Sequence, residues 1–411
     1  MFRLILFILI IAILDYYTFQ SFKTITKSTW WNVLYWLISI GIIGNCIYQA
    51  VTIDRSNGIP FSFSLAMVLF ILFFVPKIIV GIVLFGEDVF RAIMYVVEKL
   101  TTQSNDVKIS FEGRRKFVSK IALGLAAIPF SSILYGVIKG KYNFKVLKYT
   151  LHFEDLPKAF DGFKLTQISD VHSGSFDNPN KVEYAIDLIN EQESDMIVFT
   201  GDMVNNKASE MKPYINIFKK LNAKDGLYSV LGNHDYGDYV RWNSKEDKNQ
   251  NLEDLKAIQK EIGFDLLLNE NRFIQRGDDR IALVGVENWG KGGFKKAGDL
   301  KKASSLVDHN DFKILLSHDP SHWEEEVISD EKHYHLTLSG HTHGMQFGIE
   351  IPGWFKWSPV KWRYKYWAGI YQELGQYINV NRGFGYLAFP GRVGIWPEIT
   401  VIELKKGSKS V

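Results

Sequence analysis

The chain has 411 residues, more than one average domain, so two or more folded units are expected. Its formal net charge of +3 is too small for the strongly basic patch that nucleic-acid binding calls for, and no such binding is expected. The single cysteine, Cys46, excludes an intramolecular disulfide, a staple that a chain able to bury a large core does not need.

Long apolar runs dominate up to about residue 140, and beyond it charged residues, glycines and turn signals mix as in a globular domain. Residues 1–140 therefore read as a transmembrane helical domain and 141–411 as a catalytic domain. Four segments, about 2–22, 30–53, 61–85 and 121–138, approach the ~20 apolar residues that cross a bilayer. The first is followed by no small-x-small cleavage site and reads as a retained helix rather than a signal peptide. Its Asp15 would cost roughly 2.5–3.5 kcal/mol at mid-bilayer. The second opens on Trp30-Trp31, as an interfacial aromatic belt does.

The third segment contains Pro76-Lys77, which predicts a kink and a buried or snorkelling cation, with snorkelling preferred. From Glu87 to Leu100, Val89, Phe90, Ile93, Met94 and Val97 recur at helical spacing. That pattern suits an amphipathic helix on the membrane surface or packed against the bundle. With the N-terminus outside, inner segments hold nine basic residues, from Lys23 to Lys120 and including Lys108. Outer segments then hold six, including Arg3, Arg55 and Lys148. This asymmetry favours an extracytoplasmic catalytic domain. Arg114-Arg115-Lys116-Phe117 before an apolar run also resembles a twin-arginine export signal, although it is internal.

From Phe163 onward short apolar strands alternate with helical stretches. The strands are 163–169, 195–200, 226–231, 280–286, 313–317 and 336–339, and the helices 180–192 and 211–221. Alternation of this kind indicates an α/β domain with a layered core, whose ligands gather where strands end. At those ends stand Asp170-Val171-His172, Gly201-Asp202, Gly232-Asn233-His234-Asp235, His318 and Gly340-His341-Thr342-His343. Each alone is an ordinary turn. Five together in one domain point to a metal site, with glycines that let the backbone turn sharply.

This ordered set resembles the calcineurin-like metallophosphoesterase family over about residues 160–403, with every motif position present. The tail from Asn381-Arg382-Gly383-Phe384-Gly385 to Trp396-Pro397-Glu398-Ile399, with the membrane segment, is similar to its YkuE-like and UDP-diacylglucosamine pyrophosphatase branch. The resemblance implies a layered β-sandwich flanked by helices. It implies that Asp170, His172, Asp202 and His343 hold one metal and that Asp202, Asn233, His318 and His341 hold the other, with Asp202 bridging. His234 is then not a ligand but a catalytic residue beside the scissile phosphate. Two cations roughly 3.5–4 Å apart would generate a bridging hydroxide for in-line attack on phosphorus, with His234 donating a hydrogen bond or proton. Mixed imidazole, carboxylate and amide ligands suit manganese, iron or zinc better than calcium or magnesium.

Asp235 is a candidate to orient His234. His152, His309, His322, His333 and His335 match no motif position, and His322 is expected on a surface turn. Arg392 is expected in a structural salt bridge rather than on a phosphate. The 347–371 stretch carries Trp354, Phe355, Trp357, Trp362, Tyr364, Tyr366 and Trp367, with Lys356, Lys361, Arg363 and Lys365 interleaved. It suits a membrane-interface surface, or an aromatic hairpin packed on its own domain.

The expectation is a membrane-anchored dinuclear-metal phosphohydrolase acting on a phosphoester or pyrophosphate of a lipid or envelope precursor. Its partners would be that phosphate-ester or lipid pyrophosphate substrate and membrane lipid. A phosphodiesterase of soluble nucleotides is one alternative. A non-catalytic membrane receptor or scaffold is another, disfavoured by the complete ligand set and His234.

Overall fold

The computed structural model describes residues 2–54, 56, 58–101, 112–351 and 353–408. Arg55 and Lys108, counted above for orientation, lie outside the described residues. The chain divides into two compact units, Met1–Ile53 with Pro60–Tyr135, and Asp54–Ile59 with Gly136–Val411.

The first unit is a bundle of α1 (Phe2–Ile25), α2 (Thr29–Thr52), α3 (Phe61–Thr101) and α4 (Glu112–Ile138). All four are long and apolar enough to cross a membrane. Helices suit such sequences because hydrocarbon offers the backbone no hydrogen-bond partners, and a helix satisfies its own. The Glu87–Leu100 segment is not a separate element: it continues α3, whose 41 residues run about 60 Å, twice the thickness of a bilayer core.

Lys77 does not snorkel. Its Nζ lies 2.6 Å from Asp15 Oδ1 and 2.8 Å from Ser39 Oγ, and Tyr35 donates to Asp15 Oδ1 at 2.6 Å. Asp15 on α1 thus gives the Lys77 ammonium of α3 a countercharge, and desolvating the two as a pair costs less than burying either alone. Further along α3, Glu87 and Asp88 both take Arg115 of α4 at 2.6 Å, while Arg114 stacks on Phe90.

The second unit is a two-sheet sandwich. The first sheet contains β1 (Lys145–Phe153), β2 (Lys164–Ile168), β3 (Met196–Phe199), β4 (Leu227–Ser229) and β5 (Phe264–Leu266). The second contains β6 (Glu270–Arg276), β7 (Asp279–Gly285), β8 (Phe312–Leu316) and β9 (Leu336–Ser339). A hairpin of β10 (Ile349–Ile351) and β11 (Phe355–Trp357) precedes β12 (Gly369–Glu373) and β13 (Gln376–Val380), which extend the second sheet. Finally β14 (Glu398–Lys406) returns to the first sheet between β1 and β2. The central strands β2–β5 and β7–β9 are parallel within their sheets.

Near-continuous apolar runs build these strands because both faces are buried. Met196 and Val198 of β3, like Ile281 and Leu283 of β7, fill the layer between the sheets. Their neighbours Ile197 and Phe199 face an outer layer with Val182 and Ile186 of α5 (Pro179–Asn190), whereas Ala282 and Val284 face the opposite outer layer with Trp323. The expected 211–221 helix is reduced to Ile215–Phe218 behind short 3₁₀ turns, since Pro213 has no N–H to continue a helix.

Candidate metal centre

The loops that follow β2, β3, β4, β8 and β9 carry the motif residues, so parallel strands of both sheets deliver side chains to one place. Five of the seven candidate ligands, Asp170, His172, Asp202, His341 and His343, have φ between 48° and 71°. Non-glycine residues seldom adopt this left-handed conformation, and backbone strain of this kind concentrates where function over-determines geometry. The glycines are needed for space: a Cβ on Gly232 would run into the Asp202 carboxylate, and one on Gly340 into the Ser169 hydroxyl.

Two buried groups of side chains result, Asp170 with His172 and His343, and Asp202 with His318 and His341. In the first, His343 Nε2 lies 3.0 Å from His172 Nε2 and 3.2 Å from Asp170 Oδ1. In the second, His318 Nε2 lies 3.1 Å from Asp202 Oδ2, and His341 Nδ1 is 2.8 Å from Asn233 Oδ1. The groups adjoin, because the same Asp202 Oδ2 is 3.6 Å from His172 Nε2. Thus all seven residues converge, with Asp202 at the junction.

Neighbouring groups set each donor. His318 Nδ1 donates to the Thr200 carbonyl at 2.7 Å, which turns Nε2 inward toward Asp202 Oδ2. Asn233 Nδ2 donates to Tyr239 Oη at 2.8 Å, so that Oδ1 faces His341. His341 Nε2 meets Tyr364 Oη at 2.8 Å and Asp319 Oδ2 at 3.4 Å, the kind of outer support that fixes an imidazole tautomer. Tyr239 and Asp319 carry no motif and were not singled out in the sequence, and Tyr364 was noted there only as part of the aromatic run. The one available signal was Asp319, a carboxylate directly after His318.

Burial opposes ionisation of Asp202, yet His318 and His234 hold it well below the usual carboxylate range. Burial alone would lower the His318 pKa, but Asp202 and then Asp170 raise it to about 10. Burial together with His343 and His234 keeps His172 neutral. Imidazole and carboxylate groups packed this closely, in two adjoining sets, fit a pair of divalent cations.

His234 is half-buried, and its Nδ1 donates to the Asn205 carbonyl at 2.7 Å, which leaves Nε2 free. Asp235 does not orient it. That carboxylate accepts the backbone N–H groups of Asp202 (2.9 Å), Met203 (2.8 Å) and Gly232 (2.8 Å), and so ties the Gly-Asp turn to the Gly-Asn-His turn. The Asn205 loop is held in turn by Glu210, which accepts the N–H of Asn205 at 2.6 Å. The C-terminal motif has a similar task, for Phe384 N–H donates to Ser169 O (2.7 Å) and Gly385 N–H to Asp170 O (2.9 Å).

Two expectations fail. His322 is fully buried rather than on a surface turn, with Nδ1 2.9 Å from Ser317 Oγ and its ring stacked on Trp289. Arg392 is also fully buried and forms no salt bridge among the described residues. It donates to the Gly385, Arg382 and Gly383 carbonyls and, at 3.2 Å, to His343 Nδ1.

A cavity of about 360 Å³ opens over the centre, lined by Asp202, Asn233, His234, His341 and His343 together with Phe294, Met345, Trp362 and Arg363. Two groups of side chains that could hold metal ions, under a cleft that His234 also lines, suit a metal-dependent phosphoesterase. Residues 163–345 match the family described as "Calcineurin-like phosphoesterase", and residues 2–141 match "Probable Calcineurin-like phosphoesterase, transmembrane domain". The chain is 31% identical over 261 residues to "Uncharacterized metallophosphoesterase YkuE" of Bacillus subtilis, covering 63% of this chain and 84% of that one. An "Uncharacterized metallophosphoesterase" of Helicobacter pylori is 25% identical and aligns over 97% of both chains. "Transmembrane protein with metallophosphoesterase domain" of Danio rerio is 26% identical over 66% of this chain and 60% of its own length. The protein belongs to the calcineurin-like metallophosphoesterase family, in a form with four helices long and apolar enough to cross a membrane.

Proposed function

We propose that the protein hydrolyses a phosphoester or pyrophosphate borne by a membrane lipid or envelope precursor, using two divalent cations of manganese, iron or zinc. In this reading Asp170, His172, Asp202 and His343 hold one cation, and Asp202, Asn233, His318 and His341 the other. Asp202 suits the shared position because it stands between His172 and His318. When bound, the cations supply an activated water and neutralise charge on the phosphoryl oxygens. His234, anchored through Nδ1, presents Nε2 to the phosphate or leaving oxygen and donates a proton there.

The lipid assignment is carried by one observation. Beyond residue 140, ten large apolar side chains are exposed among the described residues, and six lie between Met345 and Trp362. Two of the six, Met345 and Trp362, also line the cavity. Trp354 at the hairpin tip is 82% exposed, whereas Trp367 is buried and Trp357 half-buried, so the membrane-facing set is smaller than the aromatic run in the sequence. An apolar ridge continuous with a catalytic cleft suits a bilayer-borne substrate.

The test uses full-length protein in anionic phospholipid vesicles. Trp354→Ser with Phe355→Ser should weaken hydrolysis of a vesicle-embedded lipid phosphate and spare p-nitrophenyl phosphate. Equal rates on the embedded substrate would remove the lipid reading. The basic-residue asymmetry further supports an extracytoplasmic catalytic unit. Protease added to intact spheroplasts should then digest that unit, and its protection would reverse the orientation.

A further inference from the structure

We propose that Arg363 forms a second anion subsite beside the metal centre, so that the preferred substrate carries another phosphoryl group next to the one cleaved. This rests on the phosphohydrolase reading above and narrows its substrate class to diphosphates.

Among the described residues, Arg363 is the only lysine or arginine lining the cavity that holds His234, His341 and His343. Its guanidinium carbon lies 5.2 Å from the centre of the Phe294 ring and 5.5 Å from that of Tyr364. Both rings reach the metal centre. Phe294 meets His341 edge-on with centroids 4.8 Å apart, and Tyr364 Oη is 2.8 Å from His341 Nε2. The guanidinium is thus one ring removed from a candidate ligand. It pairs with no carboxylate among the described residues, whereas the nearby Lys365 is taken by Glu373 at 2.8 Å.

One cavity thus holds candidate metal ligands, an exposed guanidinium beside two aromatic rings, and the apolar Trp362 and Met345. Planar guanidinium donors match two phosphate oxygens at once. A phosphoryl group beside His234 and the candidate ligands would leave its bridging oxygen and the next phosphate in the cavity that Arg363 lines. Water oxygen bonds to the terminal phosphorus, the bond to the bridging oxygen breaks, and that oxygen keeps the electron pair and takes a proton from His234, which the proton lost by the water replaces. Inorganic phosphate and an alkyl monophosphate leave, the latter still facing Arg363.

The test compares hexyl phosphate with hexyl diphosphate, following phosphate release by detergent-solubilised full-length protein. Wild type should have the lower KM for the diphosphate. Arg363→Gln should raise that KM roughly 10- to 100-fold, as loss of a charge-assisted contact does, well beyond any change in the monophosphate KM and with metal content at the wild-type level. Arg363→Lys should recover part of the loss. Equal losses on both probes, or an unchanged diphosphate KM, would overturn the subsite. A wild-type protein that holds its metals and cleaves neither probe would instead contradict the hydrolase reading beneath it.

Discussion

Nε2 of His172 and Nε2 of His343 face each other at 3.0 Å, both rings buried. Only one such atom can carry the proton in a hydrogen bond between them, and a cation placed beside both lone pairs would replace it. The same holds in the adjoining group, where the His318 pKa of about 10 keeps a proton on the imidazole beside Asp202 at neutral pH.

Metal loading must therefore expel protons. His318 has a raised pKa, so its pairing with Asp202 stabilises the metal-free fold fully below about pH 6.5. That stability is lost as pH rises through about 10. Near pH 7.5, manganese or zinc binding should release about one proton from His318, and affinity should rise with pH. Calorimetric titration in two buffers of different ionisation enthalpy measures this, and zero proton release would refute the assignment of His318.

His234→Ala should separate chemistry from metal binding. With its Nδ1 fixed by the Asn205 carbonyl, the ring lines the cavity and meets His172 edge-on with centroids 4.9 Å apart, but it belongs to neither candidate ligand group. The variant should keep its metal content and lose roughly 10²–10⁴-fold in kcat, the range of general acid catalysis. Loss of metal would make His234 a ligand instead.

Tyr239→Phe removes the acceptor that tells the two ends of the Asn233 amide apart. An amide free to flip presents Nδ2 inward part of the time. Metal affinity should weaken roughly 10- to 100-fold, as when other outer supports of a metal site are removed. Unchanged affinity in a metal titration would show that His341 alone orients Asn233.

Much of the site was legible because its residues come in short local clusters, each just after an apolar strand whose own pattern marks it. Asp170-Val171-His172 and Gly340-His341-Thr342-His343 needed no tertiary information to be noticed. What supports them did. Tyr239 returns to Asn233 only because Gly237, at φ 65°, reverses the chain after a single 3₁₀ turn. Asp235 adjoins His234 in sequence yet serves the backbone of a loop more than thirty residues away. Lys77 and Asp15 are 62 positions apart, and nothing local shows that two costly membrane charges neutralise each other. Aromatic density at 347–371 was plain, but its division into an exposed tip and a buried base depends on how Val360, Trp367, Ala368 and Ile395 cluster together.

Metal content measured on active, full-length protein bears most directly on the two-cation site. Elemental analysis should find about two divalent transition-metal ions per chain, the number that two-metal phosphoryl chemistry requires. In Asp202→Ala, which removes the carboxylate between His172 and His318, metal content and turnover should fall together. Full turnover with no stoichiometric metal, or undiminished metal and activity in Asp202→Ala, would contradict the account.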